Sequence, residues 1–331
     1  MNKNKTNNRK KKFLEYALIE AGRMQQLDRL GTARNYLCAA RRFRDYLKTL
    51  GKRDVAFSRL KSHFIRGFED WLKKEGVSHN TSSAYLRCLH AIFVRGAATE
   101  LPFGDPFNGT YRGIAKTTKR AVTPNDMRLI ADFDICAAVV SHRQESDRTT
   151  DGVQFQQKID KLTYARDLFL FCFCARGMTF VDVAYLRKDD IHSGIITYCR
   201  RKTGQRLLVK IEDDMQAVIN RHPSDTDYVF PILPANADEQ TTYRSYLTAL
   251  SYYNRALRDL GNLMGLKLTS YVSRHSWATI AYHGGMTLSE VSQAMGHDNE
   301  RTTEIYLKTL SSTHIDQANH SLLQSLFHPL P

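Results

Sequence analysis

Apolar residues in the first third of the chain recur with the period of an α-helix. Within TARNYLCAARRFRDYLKTL they follow one another at alternating steps of four and three: Tyr36, Ala40, Phe43, Leu47 and Leu50. This spacing predicts one helix with a single buried face, opened by Thr32. FSRLKSHFIRGFEDWLKK and NTSSAYLRCLHAIFVRGAATE show the same pattern, the latter with Asn80 as the predicted N-cap. Residues 13–105 are therefore predicted to form a small helical bundle.

The segments on either side of this bundle lack periodic apolar positions. Residues 1–12 form a basic, polar tail, which we expect to be disordered without a partner. Residues 106–120 combine proline, glycine and basic residues and are predicted to be a linker. A chain of 331 residues, 42% of them hydrophobic, suits two domains better than one.

The second predicted domain, residues 121–310, opens with the signals of a helix start. Thr123 is placed to cap this helix, Pro124 to occupy its first position and Asp126 to lie in its first turn. Beyond it, the polar residues 141–158 predict a mobile loop.

Three later stretches predict the rest of this domain. The chain from Leu168 to Ala175 is apolar nearly all round, which predicts a helix buried in the domain. Two β-rich runs within residues 195–211 surround a Lys-Thr-Gly-Gln turn and predict a hairpin. Thr287 and Glu290 form a capping-box pattern in a helix closed by Gly296. The predicted fold is mainly α with a small β-hairpin.

Positive charge is concentrated near the amino terminus. The formal net charge is +14, yet residues 1–120 hold 26 Lys and Arg against 10 Asp and Glu, whereas residues 121–331 hold 22 against 24. We expect a polyanion as partner, because each neutralised phosphate releases counterions, and nucleic acid fits best. A merely soluble basic domain is the alternative. The same two interpretations, DNA contact or solvated face, apply to a basic stripe on the first helix: Arg34, Arg41, Arg44 and Lys48.

Several classes of protein are not indicated. No apolar run is long enough to span a membrane, and MNKNKTNNRKKK lacks the apolar core of a secretory signal, so we expect a cytoplasmic protein. The six cysteines are scattered without a C-x-x-C pair, and histidines do not cluster at metal-ligand spacing. Neither a metal nor a cofactor is predicted.

Individual polar residues of the second domain are ambiguous. A buried arginine can serve a structural ion pair, a histidine can stabilise a helix end, and a turn lysine can be solvated. A tyrosine on a polar helix is usually a packing residue with its hydroxyl in water. These alternatives apply, taken one by one, to Arg176, Lys202, Arg274, His297 and Tyr306.

The order and spacing of these residues are more informative. From TSYVSRHSWAT to MGHDNERTTEIY the chain resembles the catalytic end of the tyrosine recombinase (phage integrase) family. That family carries an Arg-His-Ser/Thr-aromatic-Ala-Thr helix, then a Gly-His pair and, nine residues later, a nucleophilic tyrosine. ARGMTFVDVAYLRKDDI, the RRKTG hairpin and TARNYLCAARRFRDYL extend the resemblance over most of residues 13–310. It implies a helical, SAM-like core-binding domain followed by an α+β catalytic domain.

The resemblance also implies a role for each candidate. Tyr306 would attack a DNA phosphodiester and become joined to the 3′ phosphate. Arg176 and Arg274 would hold the non-bridging oxygens as negative charge gathers on them. Lys202 would protonate the departing 5′ oxygen, and His297 would donate to a phosphate oxygen. This chemistry needs no metal or nucleotide.

The sequence departs from the family pattern at two places. Tyr271 stands three residues before Arg274, where most members carry histidine, so its phenol is a candidate for that role. His275 is a further candidate, with a structural role as the alternative. Thr179 occupies the usual place of the first arginine, and Arg176 lies about one helical turn, or roughly 4.5 Å, before it.

The resemblance implies a site-specific DNA recombinase of the integrase or invertase type, as found in mobile elements. Its partner would be double-stranded DNA, bound by a homo-tetramer on two DNA sites, with DNA-bending proteins as candidate accessory factors. We expect it at the nucleoid. Residues 311–331 contain the apolar run SLLQSLF, which could pack on its own domain or, as we slightly favour, dock on a neighbouring protomer. The candidate DNA contacts of the first domain are Arg34, Arg41, Arg44, Lys48 and Arg87.

Two other functions fit the same residues. A DNA-binding protein on this scaffold could lack cleavage, which the departures at Tyr271 and Arg176 favour. A type IB topoisomerase shares the nucleophile but relaxes supercoils without choosing a site. Covalent trapping and plasmid relaxation distinguish these alternatives from a recombinase.

Overall fold

The computed structural model describes residues 12–97, 104–115, 120–141, 152–297 and Thr303. The chain divides into two compact units, Met1–Thr117 and Thr118–Pro331. Residues 1–11 of the predicted tail 1–12, Tyr306 and residues 311–331 lie outside the described residues.

The described residues of the first unit form four α-helices: α1 (Phe13–Gln26), α2 (Leu30–Thr49), α3 (Ser62–Lys74) and α4 (His79–Gly96). Their apolar faces meet in one core with aromatic side chains at its centre. Phe43 packs edge-on against Phe13 and Phe68, with ring centroids 5.6 and 5.1 Å away. Edge-to-face packing of this kind stabilises a core beyond the area that it buries. The predicted helical bundle is confirmed.

Helix α2 carries the predicted apolar face, but its ends differ from the prediction. The prediction of Thr32 as the opening residue is wrong, because the N–H of Ala33 already bonds the carbonyl of Arg29 at 2.9 Å. Leu50 is 43% exposed, since the helix ends at Thr49 and its period no longer sets the orientation of the next residue. The other four predicted positions are buried: Tyr36, Ala40, Phe43 and Leu47.

The start of α4 also differs from the prediction. Its N-cap is Ser78, whose hydroxyl accepts the N–H of Thr81 at 3.3 Å, so the prediction of Asn80 as the cap is wrong. The amide of Asn80 instead exchanges two hydrogen bonds with the backbone of Ala115, at 2.8 and 3.0 Å. A distant segment therefore uses the side chain that local preference assigns to a cap.

Part of the predicted linker, residues 106–120, folds onto the first unit. Phe107 is fully buried in its core. The hydroxyl of Ser83 donates to the carbonyl of Gly113 at 2.5 Å. The structure places the division between the two units after Thr117.

The described residues of the second unit form eight α-helices and a three-stranded sheet. These are α5 (Pro124–Asp132), α6 (Ile135–Ser141), α7 (Gly152–Cys174), α8 (Phe180–Ala184), β1 (Ile191–His192), β2 (Ile195–Cys199), β3 (Arg206–Lys210), α9 (Asp213–Arg221), α10 (Glu239–Met264), α11 (Val272–His283) and α12 (Leu288–Ala294). Helix α7 packs against α9, α10 and α11, which explains its apolar character and confirms the predicted buried helix. In the described part of the chain, no helix is long and apolar enough to cross a membrane.

The sheet is antiparallel, in the order β1-β2-β3. Strands β2 and β3 pair from Ile195 opposite Lys210 to Cys199 opposite Arg206, which confirms the predicted hairpin. Alternate side chains of the pair point into the core, among them Ile196. Strand β1 was not predicted, because two residues are too short for a periodic signal.

The helix-start signals at Thr123 and Thr287 are confirmed, whereas the predicted polar loop is partly wrong. Thr123 and Asp126 form a capping box at the start of α5, and Thr287 forms another at the start of α12. The predicted loop 141–158 overlaps helix at both ends, since α6 ends at Ser141 and α7 begins at Gly152. Polar residues there lie on the exposed face of a helix, where Gln156 bonds Asp160 at 2.8 Å. Residues 142–151 lie outside the described residues.

Candidate active site

Arg274 is a buried cation at the centre of the site. It lies in the first turn of α11 and is only 2% exposed. Its Nη1 donates to the carbonyl of Gly177 at 2.7 Å, and its Nη2 donates to the carbonyl of Met295 at 2.8 Å. Nη2 also lies 2.8 Å from Nε2 of His297. These contacts join the end of α7, the start of α11 and the end of α12, and their acceptors carry no negative charge.

The turn after α7 brings Arg176 into the neighbourhood of Arg274. Arg176 and Gly177 both have left-handed backbone, with φ of +56° and +71°. A non-glycine residue in that conformation is strained, and such strain is often found at functional sites. The exposed side chain of Arg176 reaches β3, where its Nη1 donates to the carbonyl of Leu208 at 3.3 Å. Arg176 is thus adjacent in sequence to the residue that binds Arg274, while its own guanidinium contacts the sheet.

Thr179, at the usual place of the family's first arginine, has a different task. It is buried, and its hydroxyl donates to Oδ2 of Asp182 at 2.6 Å. Oδ1 of Asp182 accepts the N–H of Arg201 at 3.0 Å. Position 179 therefore helps to hold the base of the β2–β3 hairpin.

Lys202 is exposed in the turn between β2 and β3. Two backbone hydrogen bonds close this turn: the N–H of Arg200 donates to Gln205 at 2.8 Å, and the N–H of Gly204 donates to Arg200 at 2.7 Å. An ammonium group on such a turn can reach a group bound at the surface.

His297 follows α12, and its two ring nitrogens contact Thr303 and Arg274. Its Nδ1 lies 2.8 Å from the hydroxyl of Thr303 and its Nε2 contacts Arg274. A guanidinium only donates, so Nε2 is the acceptor and the neutral ring carries its proton on Nδ1. Burial, then the charges of Arg274, Arg200 and Lys202, lower the pKa of His297 to about 3. The imidazole is therefore neutral at pH 7, with the lone pair of Nε2 directed at a cation.

Tyr271 and His275 lie on one turn at the start of α11. Tyr271 is 53% exposed, and its carbonyl accepts the N–H of His275 at 3.0 Å. His275 is buried, and the two rings lie 6.0 Å apart between centroids. The phenol of Tyr271 is thus accessible near the site, whereas His275 belongs to the interior.

The structure brings together Arg274, His297 and the Lys202 hairpin, and Arg176 precedes Gly177, whose carbonyl binds Arg274. Tyr306 lies outside the described residues, but Thr303, three residues before it, contacts His297. Sequence reasoning missed Arg200, which is buried within the same group of residues. The alternation of β2 could have revealed it, because position 200 continues the inward face.

Of the predicted DNA contacts in the first unit, four are exposed and one is half-buried. Arg87 is half-buried on α4 and lines a cavity of about 360 Å³ with Tyr36, Tyr85 and other residues of α2 and α4. Lys48 forms a weak ion pair with Asp45 at 3.8 Å. The remaining three predicted contacts are exposed on α2: Arg34, Arg41 and Arg44.

Replacing Gly177 with alanine is expected to destabilise the second unit more than replacing Gly265, another glycine with left-handed backbone, with alanine. The new Cβ would lie 3.1 Å from both Cα and Cγ of Arg274. Alanine in left-handed backbone costs roughly 1–2 kcal/mol, and overpacking adds about 1–3 kcal/mol. The two costs together are about 2–5 kcal/mol, and 1 kcal/mol corresponds to about 2–4 °C in a unit of this size, so we expect Tm to fall by roughly 4–20 °C in a thermal melt.

Gly265→Ala is the matched control. Gly265 has a φ of +69°, and nothing lies within 4 Å of the position of its Cβ. Only the backbone cost applies there, so Tm should fall about half as far. An equal fall in Tm in the two variants would show that packing against Arg274 does not constrain position 177.

Comparisons with known proteins cover both units. Residues 12–111 match the family model described as Phage integrase SAM-like domain, and residues 151–312 match the model of the Phage integrase family. Tyrosine recombinase XerA of Pyrococcus furiosus is 21% identical over 291 residues, covering 81% of this chain and 97% of the relative. Tyrosine recombinase XerD of Oceanobacillus iheyensis is 22% identical over 330 residues, covering 96% of this chain and 99% of the relative.

Solved structures share the fold at low sequence identity. A lambda integrase dimer bound to a COC′ core site superposes with a TM-score of 0.59 at 14% identity, covering 91% of this chain and 78% of that one. The Tn1549 transposon integrase in complex with transposon right end DNA gives 0.59 at 12% identity, with coverages of 96% and 99%.

Proposed function

Because the chain belongs to the tyrosine recombinase (phage integrase) family, we propose that it cleaves and rejoins DNA at specific sites through a 3′-phosphotyrosyl intermediate. The observation that carries this proposal is the contact of Arg274 with His297, which in turn contacts Thr303. Thr303 precedes the predicted nucleophile Tyr306 by three residues. A buried cation and the segment of the nucleophile are thus joined through one imidazole.

In the proposed cleavage step, the phenol oxygen of Tyr306 bonds to phosphorus and the bond from phosphorus to the 5′ oxygen breaks. The phenol proton passes to water, and the ammonium of Lys202 gives a proton to the departing 5′ oxygen. Strand joining is the reverse reaction, started by the 5′ hydroxyl of another strand. The step conserves the energy of the ester, so no cofactor is consumed.

Arg274 is proposed to bind the non-bridging oxygens of the scissile phosphate. Its contacts with the carbonyls of Gly177 and Met295 orient the guanidinium before DNA arrives, which is the arrangement that stabilises developing charge best. Arg176 is proposed as a second guanidinium, and it would have to exchange its contact with Leu208 for the phosphate.

DNA binding is proposed to change the protonation state of His297. In the DNA-free chain burial lowers the pKa of His297, and the charges of three nearby cations lower it further. The negative charge of a bound phosphate opposes their effect and raises the pKa. A protonated ring could then donate to a phosphate oxygen, as the family resemblance implies. Tyr271 is proposed as a further donor, since its phenol is exposed nearby.

The first unit is proposed to grip the duplex through phosphate contacts. Four basic side chains project from one helix, and arginine and lysine in such stripes bind phosphates without reading sequence. Similar folds include a lambda integrase tetramer bound to a Holliday junction. By analogy we infer that four copies of this chain assemble on two DNA sites. The proposed phosphate contacts are Arg34, Arg41, Arg44, Lys48 and Arg87.

The proposal is tested by trapping the covalent intermediate. The protein is incubated with fragments of the genome that encodes it, denatured with SDS, and the protein-bound DNA ends are sequenced. The site so identified is then rebuilt as a nicked suicide duplex. We expect a covalent adduct through a 3′ phosphate, with Tyr306 in the modified peptide by mass spectrometry.

Other outcomes support the two alternative functions. Specific DNA binding without any adduct would indicate a catalytically impaired binding protein. Adducts at unrelated sequences, together with relaxation of any supercoiled plasmid by monomeric protein, would indicate a type IB topoisomerase.

A further inference from the structure

Arg200 is a buried charge to which the proposed chemistry assigns no contact with DNA. It follows β2 on the inward face, in line with Ile196 and Tyr198, and is only 5% exposed. Arginine is almost never fully buried unless its charge is paired. Its placement two residues before Lys202 therefore calls for a specific role.

The side chain of Arg200 connects two parts of the site. Its Nη1 donates to the carbonyl of Gly296 at 2.5 Å. Its Nε lies 3.9 Å from Oδ2 of Asp182, and among the described residues this buried Nε finds no hydrogen-bond acceptor. The ion pair with Asp182 is thus long, and the contact with Gly296 is the stronger directional bond.

Gly296 packs closely against the side chains of Arg200 and Leu207. Gly296 has a φ of +64°, and a Cβ there would lie 2.8 Å from Cδ of Arg200 and 3.0 Å from Cδ1 of Leu207. The turn before His297 therefore packs directly on the hairpin. A shift of the hairpin base would have to move this turn as well.

The backbone of Arg200 extends this connection to Lys202. Its N–H and carbonyl make the two hydrogen bonds that close the turn, with Gln205 and Gly204. One residue thus closes the turn that carries Lys202 and binds the residue that precedes His297.

From this arrangement we propose that Arg200 is a positioning residue, which holds the Lys202 hairpin in register with the Gly296–His297 turn so that the ammonium meets the leaving oxygen. The inference rests on the proposed function of Lys202 as general acid. Arg200 acts through Lys202, because its backbone closes the turn that carries the ammonium and its guanidinium binds the carbonyl of Gly296.

The test uses two suicide duplexes that differ in one atom. One carries the normal scissile phosphodiester, and the other carries sulfur in place of the bridging 5′ oxygen. A thiol has a pKa near 8.5, far below that of an alcohol, so the sulfur departs without a proton from the enzyme. A defect in proton delivery therefore disappears on the sulfur duplex.

Arg200→Met is expected to slow adduct formation about 10²-fold on the phosphodiester, within the range for loss of a general acid. On the sulfur duplex its rate should lie within about threefold of the wild-type rate, as should that of Lys202→Ala. Arg200→Lys keeps a positive charge and a donor for the carbonyl of Gly296. On the phosphodiester its rate of adduct formation should lie between those of wild type and Arg200→Met. If Arg200→Met folds poorly, Arg200→Lys replaces it in the comparison of the two duplexes.

Arg187→Met is the matched control. It removes one positive charge from the same unit, where Arg187 pairs with the exposed Asp227 at 3.8 Å. Because an exposed pair of this kind contributes little, its rates should stay within about twofold of wild type on both duplexes.

The possible failures are distinguishable. If the folded Arg200 variants are equally slow on both duplexes, Arg200 acts on the phosphate or on the fold and the inference is wrong. It is also wrong if they are as fast as wild type on the phosphodiester. If wild-type protein forms no adduct on either duplex, the proposed function itself fails.

Discussion

Replacing Tyr306 with phenylalanine is expected to abolish the covalent adduct while DNA affinity stays within about twofold of wild type. The change removes one oxygen atom, and a benzene ring offers no other nucleophile. We expect the rate of adduct formation on the suicide duplex to fall by at least about 10⁴-fold. Gel separation after SDS denaturation measures the adduct, and fluorescence anisotropy of a labelled duplex measures binding.

A second tyrosine serves as the control for this experiment. Tyr252 is 58% exposed on α10, and Tyr252→Phe removes the same atom from the same unit without effect on the expected adduct. Persistence of the adduct in Tyr306→Phe would contradict the assignment. In that case Tyr271→Phe would show whether the exposed phenol at the start of α11 is the nucleophile instead.

Replacing Arg274 with methionine is expected to affect both cleavage and stability. Removal of a single donor to a developing oxyanion costs about 10²–10³-fold, and here the charge is lost as well, so we expect adduct formation to slow by roughly 10³-fold or more. The carbonyls of Gly177 and Met295 would lose a buried donor, at about 1–3 kcal/mol each. A thermal melt should therefore show a Tm lower by several degrees.

Two further variants separate chemistry from folding. Arg274→Lys keeps the charge, but a lysine cannot span two carbonyls and His297 with a planar fork, so its cleavage rate should lie between those of wild type and Arg274→Met. Arg255→Met removes an exposed arginine of α10 and should leave both measurements near wild type. Rates are measured well below the lowest Tm. Cleavage by folded Arg274→Met within tenfold of wild type would show that this guanidinium does not bind the scissile phosphate.

Local sequence signals predicted much of the fold correctly. The capping boxes at Thr123 and Thr287 depend on side chains three residues apart, so the sequence contains all of their partners. The apolar faces of α2 and α7 likewise follow from periodicity. Predictions failed where a distant segment competed for a side chain, as when Ala115 took the amide of Asn80.

In the candidate site, too, some features could be predicted from the sequence and others depend on distant contacts. The family resemblance of the motifs proposed Arg274, Lys202 and His297 as candidates, and their roles stay predictions. The neutral state of His297 could not be predicted, since it depends on burial and on three cations from other segments. The departure at Thr179 was visible in the sequence, but its bond to Asp182 was not.

By itself the sequence determined the main helical segments but not their ends, the basic character of the first 120 residues and, through the family resemblance of its motifs, the set of candidate catalytic side chains. These properties follow from local periodicity, from charge and from motif spacing, and they need no knowledge of long-range contacts. Only the tertiary structure decided which groups share a hydrogen bond, such as Arg274 with His297 or Arg200 with Gly296. Those pairs lie 23 and 96 residues apart in the chain, and only the packing of α7, α11, α12 and the hairpin brings them within a few ångströms.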